Sequence, residues 1–293
     1  MRPMFATLIE PQELAAHLDD PDWAIIDCRF DLARPHWGAQ AYAAGHIPRA
    51  LYAHLDQDLS GPRGARSGRH PLPQPQTLAA TLARFGIDER VQVVAYDQGT
   101  GAFAARLWWL LRWVGHTRVA VLNGGFAAWQ HAGLAVTSES EPRPPRQFRA
   151  SPHAHAVVSG TEVGQLVSSG RLRSGERLLV DARSADRFAG ENETLDSVAG
   201  HVPGARNHPF AANLDSHGRF LDPAQLRRSW EQTLRGEPPS KLIAMCGSGV
   251  TACHNLLALE AAGLSGARLY AGSWSEWITD PANPVARGPE SER

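Results

Sequence analysis

Short apolar runs of strand length alternate along this chain with longer segments of helical periodicity, and the same order occurs twice. In the first half, Glu10-Pro-Gln-Glu-Leu14 reads as a helix start, with proline near N1 and acidic residues in the first turn. Trp23–Ile26 reads as a strand ending in Asp27-Cys28-Arg29, and Gly45-His-Ile-Pro-Arg-Ala50 follows. Leu78–Phe85 predicts a helix closed by Gly86. The β-branched run Val91–Tyr96 predicts a strand that leads into Asp97-Gln-Gly-Thr-Gly101. Ala102–Val114 predicts a helix of large apolar residues, stopped by Gly115. Val119–Leu122 predicts a strand running into Asn123-Gly-Gly-Phe-Ala-Ala-Trp129.

The second half repeats this order. Thr161–Val167 predicts a short helix, and Arg177–Val180 a strand ending in Asp181-Ala-Arg183. Gly200-His-Val-Pro-Gly-Ala205 follows. Lys241–Met245 predicts a strand, and Cys246 opens the loop after it. Thr251–Ala262 predicts a helix with Leu256, Leu257, Leu259 and Ala262 on one face, and then come Arg268–Tyr270 and Gly272-Ser-Trp-Ser-Glu-Trp277. The offsets agree: 154 from Asp27 to Asp181, 155 from His46 to His201, 149 from Asp97 to Cys246, and 148 from Trp129 to Trp277. Four landmarks in one order at nearly constant spacing identify a duplicated domain. Strands alternating with helices predict an α/β fold, each copy a parallel sheet flanked by helices. The expected domains are residues 1–137 and 156–293, joined by a linker at 138–155 that holds Pro142, Pro144, Pro145 and Pro152. Pro281–Arg293 reads as a loosely held tail.

Composition narrows the possible chemistry. With 43% hydrophobic and 20% charged residues, the 293-residue chain reads as soluble and globular. A formal net charge of −1 offers no global field for nucleic acid or an anionic membrane, so any anionic substrate must be captured locally. The three cysteines, Cys28, Cys246 and Cys253, lack close C-x-x-C pairing, which argues against a disulfide framework and a cysteine zinc site. Neither metal nor cofactor is expected. Met1–Glu10 has one arginine and no apolar core of signal-peptide length, and the most apolar window, Phe103–Val114, is broken by Arg106 and Arg112. These features point to the cytoplasm.

The stretch Ala244–His254 carries the strongest chemical signal. A cysteine followed by Gly-Ser-Gly, between a strand and a helix, is a ready anion cradle, because unpaired amides and the positive helix end face the sulfur. That setting favours a nucleophilic thiolate. The matching loop of the first copy carries Asp97, which cannot serve as a sulfur nucleophile. The second copy is therefore read as the chemical half and the first as a scaffold, with a ligand pocket expected between domains. Cysteine-dependent phosphatases share such a loop but need an arginine six positions on. Ala252 stands there, and no arginine or lysine occurs from Cys246 to Ala267. Phosphate chemistry is disfavoured.

The twin Asp-x-Arg strand ends, the His-(Ile/Val)-Pro elements, the Gly-Gly-Phe-x-x-Trp and Gly-Ser-Trp-Ser-Glu-Trp ends and the single cysteine loop resemble the tandem rhodanese-domain sulfurtransferases, over roughly residues 5–285. The resemblance implies two rhodanese-like domains and ping-pong sulfur transfer. Cys246 would take a sulfane sulfur from a small-molecule donor, hold it as a persulfide, and pass it to cyanide, a thiol or a thioredoxin-like acceptor. The loop Cys246-Gly-Ser-Gly-Val-Thr-Ala252 is similar to that of members acting on 3-mercaptopyruvate; thiosulfate-preferring members carry basic residues there. Backbone amides of Gly247, Ser248, Gly249, Val250 and Thr251, with the Ser248 and Thr251 hydroxyls, would hold the anionic persulfide. By the same resemblance Arg187, in Ala185-Asp-Arg-Phe188, would clamp the donor carboxylate. Asp56, His70 and Ser248 would form a relay that delivers a proton to the departing enolate. One departure concerns specificity: the family's Glu-Pro-Arg run is here Glu193-Thr-Leu-Asp196, and losing that arginine would cost ~1.5–3 kcal/mol of donor affinity. A thiosulfate:cyanide sulfurtransferase and a non-enzymatic persulfide carrier or regulatory module are the competing readings. Asp27, Arg29, Asp181 and Arg183 are expected to tie strand ends to loops, His46 and His201 to pack at turns, and Cys253 to be buried; Trp274 and Trp277 are read as lining the pocket mouth or packing, and Trp108, Trp109 and Trp113 as core or interdomain packing.

Overall fold

Runs of Val, Ile, Leu and Ala long enough for only four or five residues form strands buried on both faces, and they pair in parallel. The structure, a computed structural model, describes residues 4–289 and divides into two units. The first comprises residues 4–61, 72–153 and 215–220. Its strands are β1 (Leu8–Ile9), β2 (Trp23–Asp27), β3 (Leu51–Tyr52), β4 (Gln92–Tyr96) and β5 (Val119–Leu122), in the order β1-β5-β4-β2-β3. Helices α1 (Pro11–Ala15), α2 (Trp37–Ala44), α3 (Pro75–Arg84), α4 (Ala104–Trp113) and α5 (Gly125–His131) complete it. Ile25, Val94, Tyr96, Leu122 and Trp129 lie in one core cluster of this unit.

The second unit comprises residues 62–71, 154–214 and 221–289. Strands β6 (Leu178–Asp181), β7 (Arg206–Asn207), β8 (Leu242–Met245) and β9 (Arg268–Leu269) pair in the order β7-β6-β8-β9. A parallel bridge from Val157 to Leu269 takes the place that β1 holds against β5, so the two sheets share one topology. Helices are α6 (Gly160–Ser168), α7 (Ala185–Ala189), α8 (Pro223–Leu234), α9 (Thr251–Ala261) and α10 (Ser273–Trp277). Ser159 caps α6 by accepting the Glu162 N–H, and Asp222 with Gln225 forms a capping box on α8.

The duplication extends to single hydrogen bonds. Arg29 pairs with Asp27 and donates to the Gly45 carbonyl; Arg183 pairs with Asp181 and donates to the Gly200 carbonyl. His46 stacks on Tyr42 and bonds its carbonyl, while His201 stacks on Phe188 and bonds its carbonyl. Both histidines are packing residues, as expected.

Several expectations need correction. Helix α3 starts at Pro75, three residues before Leu78, because proline's fixed φ and missing N–H suit a first helical turn. Helix α9 has no single apolar face: Ala252 to Leu259 are all buried, including His254 and Asn255, because polar partners meet it on the flanks that the leucines leave. The segment after Pro281 is tied down as far as it is described. Ala286 exchanges both backbone hydrogen bonds with His201, and the Gly288 N–H donates to the Ala189 carbonyl. Its residues 290–293 lie outside the described part. The proline-rich stretch at 138–153 belongs to the first unit and is bonded to it. Arg143 donates to the carbonyls of Trp23 and Pro21, and Arg146 pairs with Asp22 and Asp88.

The polar residues against α9 form a closed network. The Asn213 carboxamide oxygen accepts from Trp230 Nε1 at 3.0 Å and lies 3.2 Å from His208 Nε2, while its Nδ2 donates to Asn255 Oδ1 at 2.8 Å. His208 stacks on Trp230, and burial lowers its pKa to about 4. Because the unfolded imidazole titrates near 6.5 and the folded one near 4, the unfolded chain binds the extra proton between those values. Stability present above pH 6.5 should therefore fall as pH drops towards 4, by about 3 kcal/mol from this residue. Urea midpoints at pH 7.5, 5.5 and 4 should show that slope flattened in His208→Gln. A variant whose slope matches the wild type would remove His208 as its source.

Candidate active site

Strand β8 delivers Cys246 to the carboxyl edge of its sheet, where open parallel sheets place their ligands. The loop is held from both sides of the sulfur. The Cys246 N–H donates to Ser273 Oγ at 3.1 Å, its carbonyl accepts the Trp274 N–H, and the Gly247 carbonyl accepts the Ser275 N–H. Ser273 sits at φ 55, left-handed for a residue with a side chain. The first unit has Gly125 at φ 57 in the same place, with the Phe126 N–H on the Asp97 carbonyl. The serine thus accepts local strain and supplies an acceptor for the Cys246 amide that glycine lacks. The difference between Gly124-Gly125 and Gly272-Ser273 is the only trace of this role in the sequence.

The sulfur faces the interior of its own loop. Cys246 is 2% exposed, and its Sγ accepts the N–H of Gly249 at 3.1 Å and of Ser248 at 3.4 Å. Two of the five amides expected in the cradle, those of Ser248 and Gly249, bond the sulfur. The turn depends on Gly249 at φ 76, where a Cβ would overlap the Ala271 carbonyl oxygen.

Around the sulfur stand groups from distant parts of the chain. Residues 62–71, part of the second unit, dock on the loop that buttresses Cys246: the Arg69 N–H donates to Ser275 Oγ at 3.0 Å, and Gly68 lies against the Gly272 carbonyl. This docking brings buried His70 to Ser248, with Nδ1 to Oγ at 2.8 Å. Two members of the expected relay are therefore joined. Asp56 belongs to the other unit, where its N–H donates to His54 Nδ1.

Arg187 is beside the loop but not open-handed. Its Nε and Nη2 fork onto Glu193 at 2.8 to 3.2 Å, and Nη2 also reaches Asp196 Oδ2 at 3.2 Å. Asp196 is shared with Arg69, a residue that belongs to no motif in the sequence. Burial lowers the Arg69 pKa from its ordinary value, and the Cys246 charge opposes that effect. A Cβ on Gly247 would lie 2.8 Å from Arg69 Nη2 and 3.6 Å from Arg187 Nη2, so both guanidinium groups stand over the residue after the cysteine. Cys253 is fully buried and donates to the Gly249 carbonyl at 3.2 Å, while Trp274 and Trp277 are buried core residues.

The first unit contains the same loop with its anion built in. Asp97 Oδ1 accepts the N–H of Gly99 and Gly101, and Oδ2 accepts those of Phe103 and Ala104. Four amides converge on one carboxylate, which demonstrates the anion-binding geometry of this strand–loop–helix. Burial nonetheless raises the Asp97 pKa against the pull of those amides.

No helix among the described residues is long and apolar enough to cross a membrane. The Rhodanese-like domain family matches residues 10–132 and again 162–280. A Pseudomonas aeruginosa protein named "Probable 3-mercaptopyruvate sulfurtransferase" is 51% identical over 286 residues, covering 97% of this chain and 99% of the relative. The Arabidopsis thaliana protein "Thiosulfate/3-mercaptopyruvate sulfurtransferase 1, mitochondrial" is 33% identical, over 93% of this chain and 76% of its own length. Among solved structures, a 3-mercaptopyruvate sulfotransferase from Escherichia coli superposes with a TM-score of 0.78 at 33% identity, covering 92% of this chain and 99% of that one. With one match in each half, this chain belongs to the rhodanese-like family and carries its domain twice.

Proposed function

We propose that this protein is a sulfurtransferase that moves sulfur from 3-mercaptopyruvate, through a persulfide on Cys246, to a thiophilic acceptor such as cyanide, a thiol or a thioredoxin-like protein. The observation that carries this reading is the Cys246 sulfur, facing two amide N–H groups beside two arginines and a His70–Ser248 pair. In the first half-reaction the Cys246 thiolate attacks the donor sulfur, an S–S bond forms and the donor C–S bond breaks. The electron pair of that bond leaves with pyruvate as its enolate. The proton of the donor thiol ends on the enolate carbon, and Ser248 with His70 provides a path for it. The resulting persulfide is anionic, and the Ser248 and Gly249 amides are placed to stabilise it. In the second half-reaction the acceptor attacks the outer sulfur and the Cys246 thiolate is restored.

The donor carboxylate falls to the arginines, since the loop from Gly247 to Ala252 carries no charge of its own. Intact mass after one equivalent of 3-mercaptopyruvate should show one added sulfur, lost on reduction and mapped to Cys246. The kcat/KM for 3-mercaptopyruvate should exceed that for thiosulfate by about tenfold or more. An equal or reversed preference would reject the donor, and absence of the added sulfur with either donor would reject the reaction.

A further inference from the structure

Two carboxylates stand where an incoming carboxylate would bind. Glu193 is committed to the fold of its own segment: besides Arg187 it accepts Arg183 Nη1 and the backbone N–H groups of Leu195 and Asp196. Asp196 is arranged differently. Its side chain is 3% exposed, with Oδ1 on Arg69 Nη1 and Oδ2 on Arg187 Nη2. One carboxylate thus spans two guanidinium groups, each of which adjoins Gly247. A donor with a planar carboxylate would seek the same two positions, because charge-assisted bonds to paired guanidinium groups are the strongest it can make here.

The clamp opens to solvent at its rim: the Arg69 and Arg187 side chains are 23% and 19% exposed. Asp196 itself lies on a segment without helix or strand, between Gly190 at φ 80 and Gly200 at φ 126. Charge also favours exchange over simple addition. With Glu193 and Asp196 in place the two arginines are balanced, so a third carboxylate would bring an uncompensated charge beside the Cys246 thiolate.

We propose that Asp196 is a specificity-determining residue, an internal carboxylate that fills the Arg69–Arg187 clamp in the resting protein and yields it to the carboxylate of the donor. This deepens, and rests on, the assignment of Cys246 as the sulfur acceptor and of the donor as a carboxylate-bearing thiol. Arg69 then supplies the second arginine that the Glu193-Thr-Leu-Asp196 run lacks. A ligand that cannot bridge both guanidinium groups gains little from expelling Asp196, so the residue discriminates as well as occupies.

Alkylation of Cys246 reads the clamp without any sulfur transfer. Iodoacetate carries a carboxylate and iodoacetamide does not; in both, the thiolate displaces iodide and forms a thioether. The ratio of their second-order rates at Cys246, followed by intact mass and peptide mapping, cancels changes in thiol reactivity. Asp196→Asn should raise the iodoacetate-to-iodoacetamide ratio about three- to tenfold, and Arg69→Gln should lower it about threefold or more. The KM for 3-mercaptopyruvate should move correspondingly, down in Asp196→Asn and up in Arg69→Gln, with kcat moving less. If Asp196→Asn does not fold, Asp196→Ser is read in its place, and failure of both to fold would mean Asp196 is structural and overturn the proposal. An unchanged or lowered ratio in a folded Asp196 variant overturns it as well. A raised ratio in a protein that takes no sulfur from 3-mercaptopyruvate would instead reject the donor and keep the clamp.

Discussion

Cys246→Ala should reduce sulfur transfer from either donor by a factor of about 10⁴ or more, and should leave no added sulfur on the protein. The size of the effect follows from the other two thiols. Cys28 is 1% exposed, and burial together with Asp27, Asp97 and Asp58 raises its pKa well above the ordinary thiol value. Cys253 is wholly buried, and its Sγ donates to the Gly249 carbonyl. Neither can stand in for a thiolate at the sheet edge. Alanine keeps the Cβ and the backbone bonds to Ser273, Trp274 and Ser275, so the fold should persist. Turnover above about 1% of wild type in a folded Cys246→Ala protein would place the reacting sulfur elsewhere.

Gly249→Ala should also be damaging, to a lesser degree, without removing a reacting atom. Two penalties coincide there. A residue with a Cβ at φ 76 costs about 1–2 kcal/mol, and its Cβ would overlap the Ala271 carbonyl, which must then move. Ala271 lies two residues before Ser273, whose Oγ accepts the Cys246 N–H, and three before Trp274, whose N–H donates to the Cys246 carbonyl, so relief of the overlap displaces the cradle. Expected are a fall in kcat/KM of about 10²-fold or more and a loss of about 1–3 kcal/mol of stability. Gly164→Ala, where an added Cβ meets nothing within 4 Å, serves as the control. A Gly249→Ala protein as active as that control would show the loop to be tolerant.

The fold was largely legible because its signals are local. Four-residue apolar runs, Gly stops and proline starts each act within a turn or two, and the constant spacing from Asp27, His46, Asp97 and Trp129 to their counterparts exposed the duplication. The Cys246 loop was legible for the same reason, being strand, glycines and helix in one window. Arg69 was not. It reaches the site through a hydrogen bond from its backbone to Ser275, 206 positions away, and nothing in its neighbourhood announces that contact. In the sequence Glu193 and Asp196 register only as the absence of an arginine, whereas they are the acceptors that hold Arg187 and Arg69. Sequence pattern reports which residue types can do chemistry. Tertiary docking decides which ones are already partnered.

Asp97 has a consequence for how the two halves tolerate time and wear. In the first unit the ring of four amides is filled by a carboxylate, which carries no sulfur to transfer or oxidise, so that loop exists in a single state. In the proposed reaction its counterpart around Cys246 would cycle through thiolate, persulfide and thiolate again, and each state would ask the same amides to hold a different anion. Ageing of the protein should therefore be lopsided: peroxide or prolonged storage would mark the second copy first. The first copy, with its charge fixed by a codon rather than by a substrate, would keep its fold unchanged beside it.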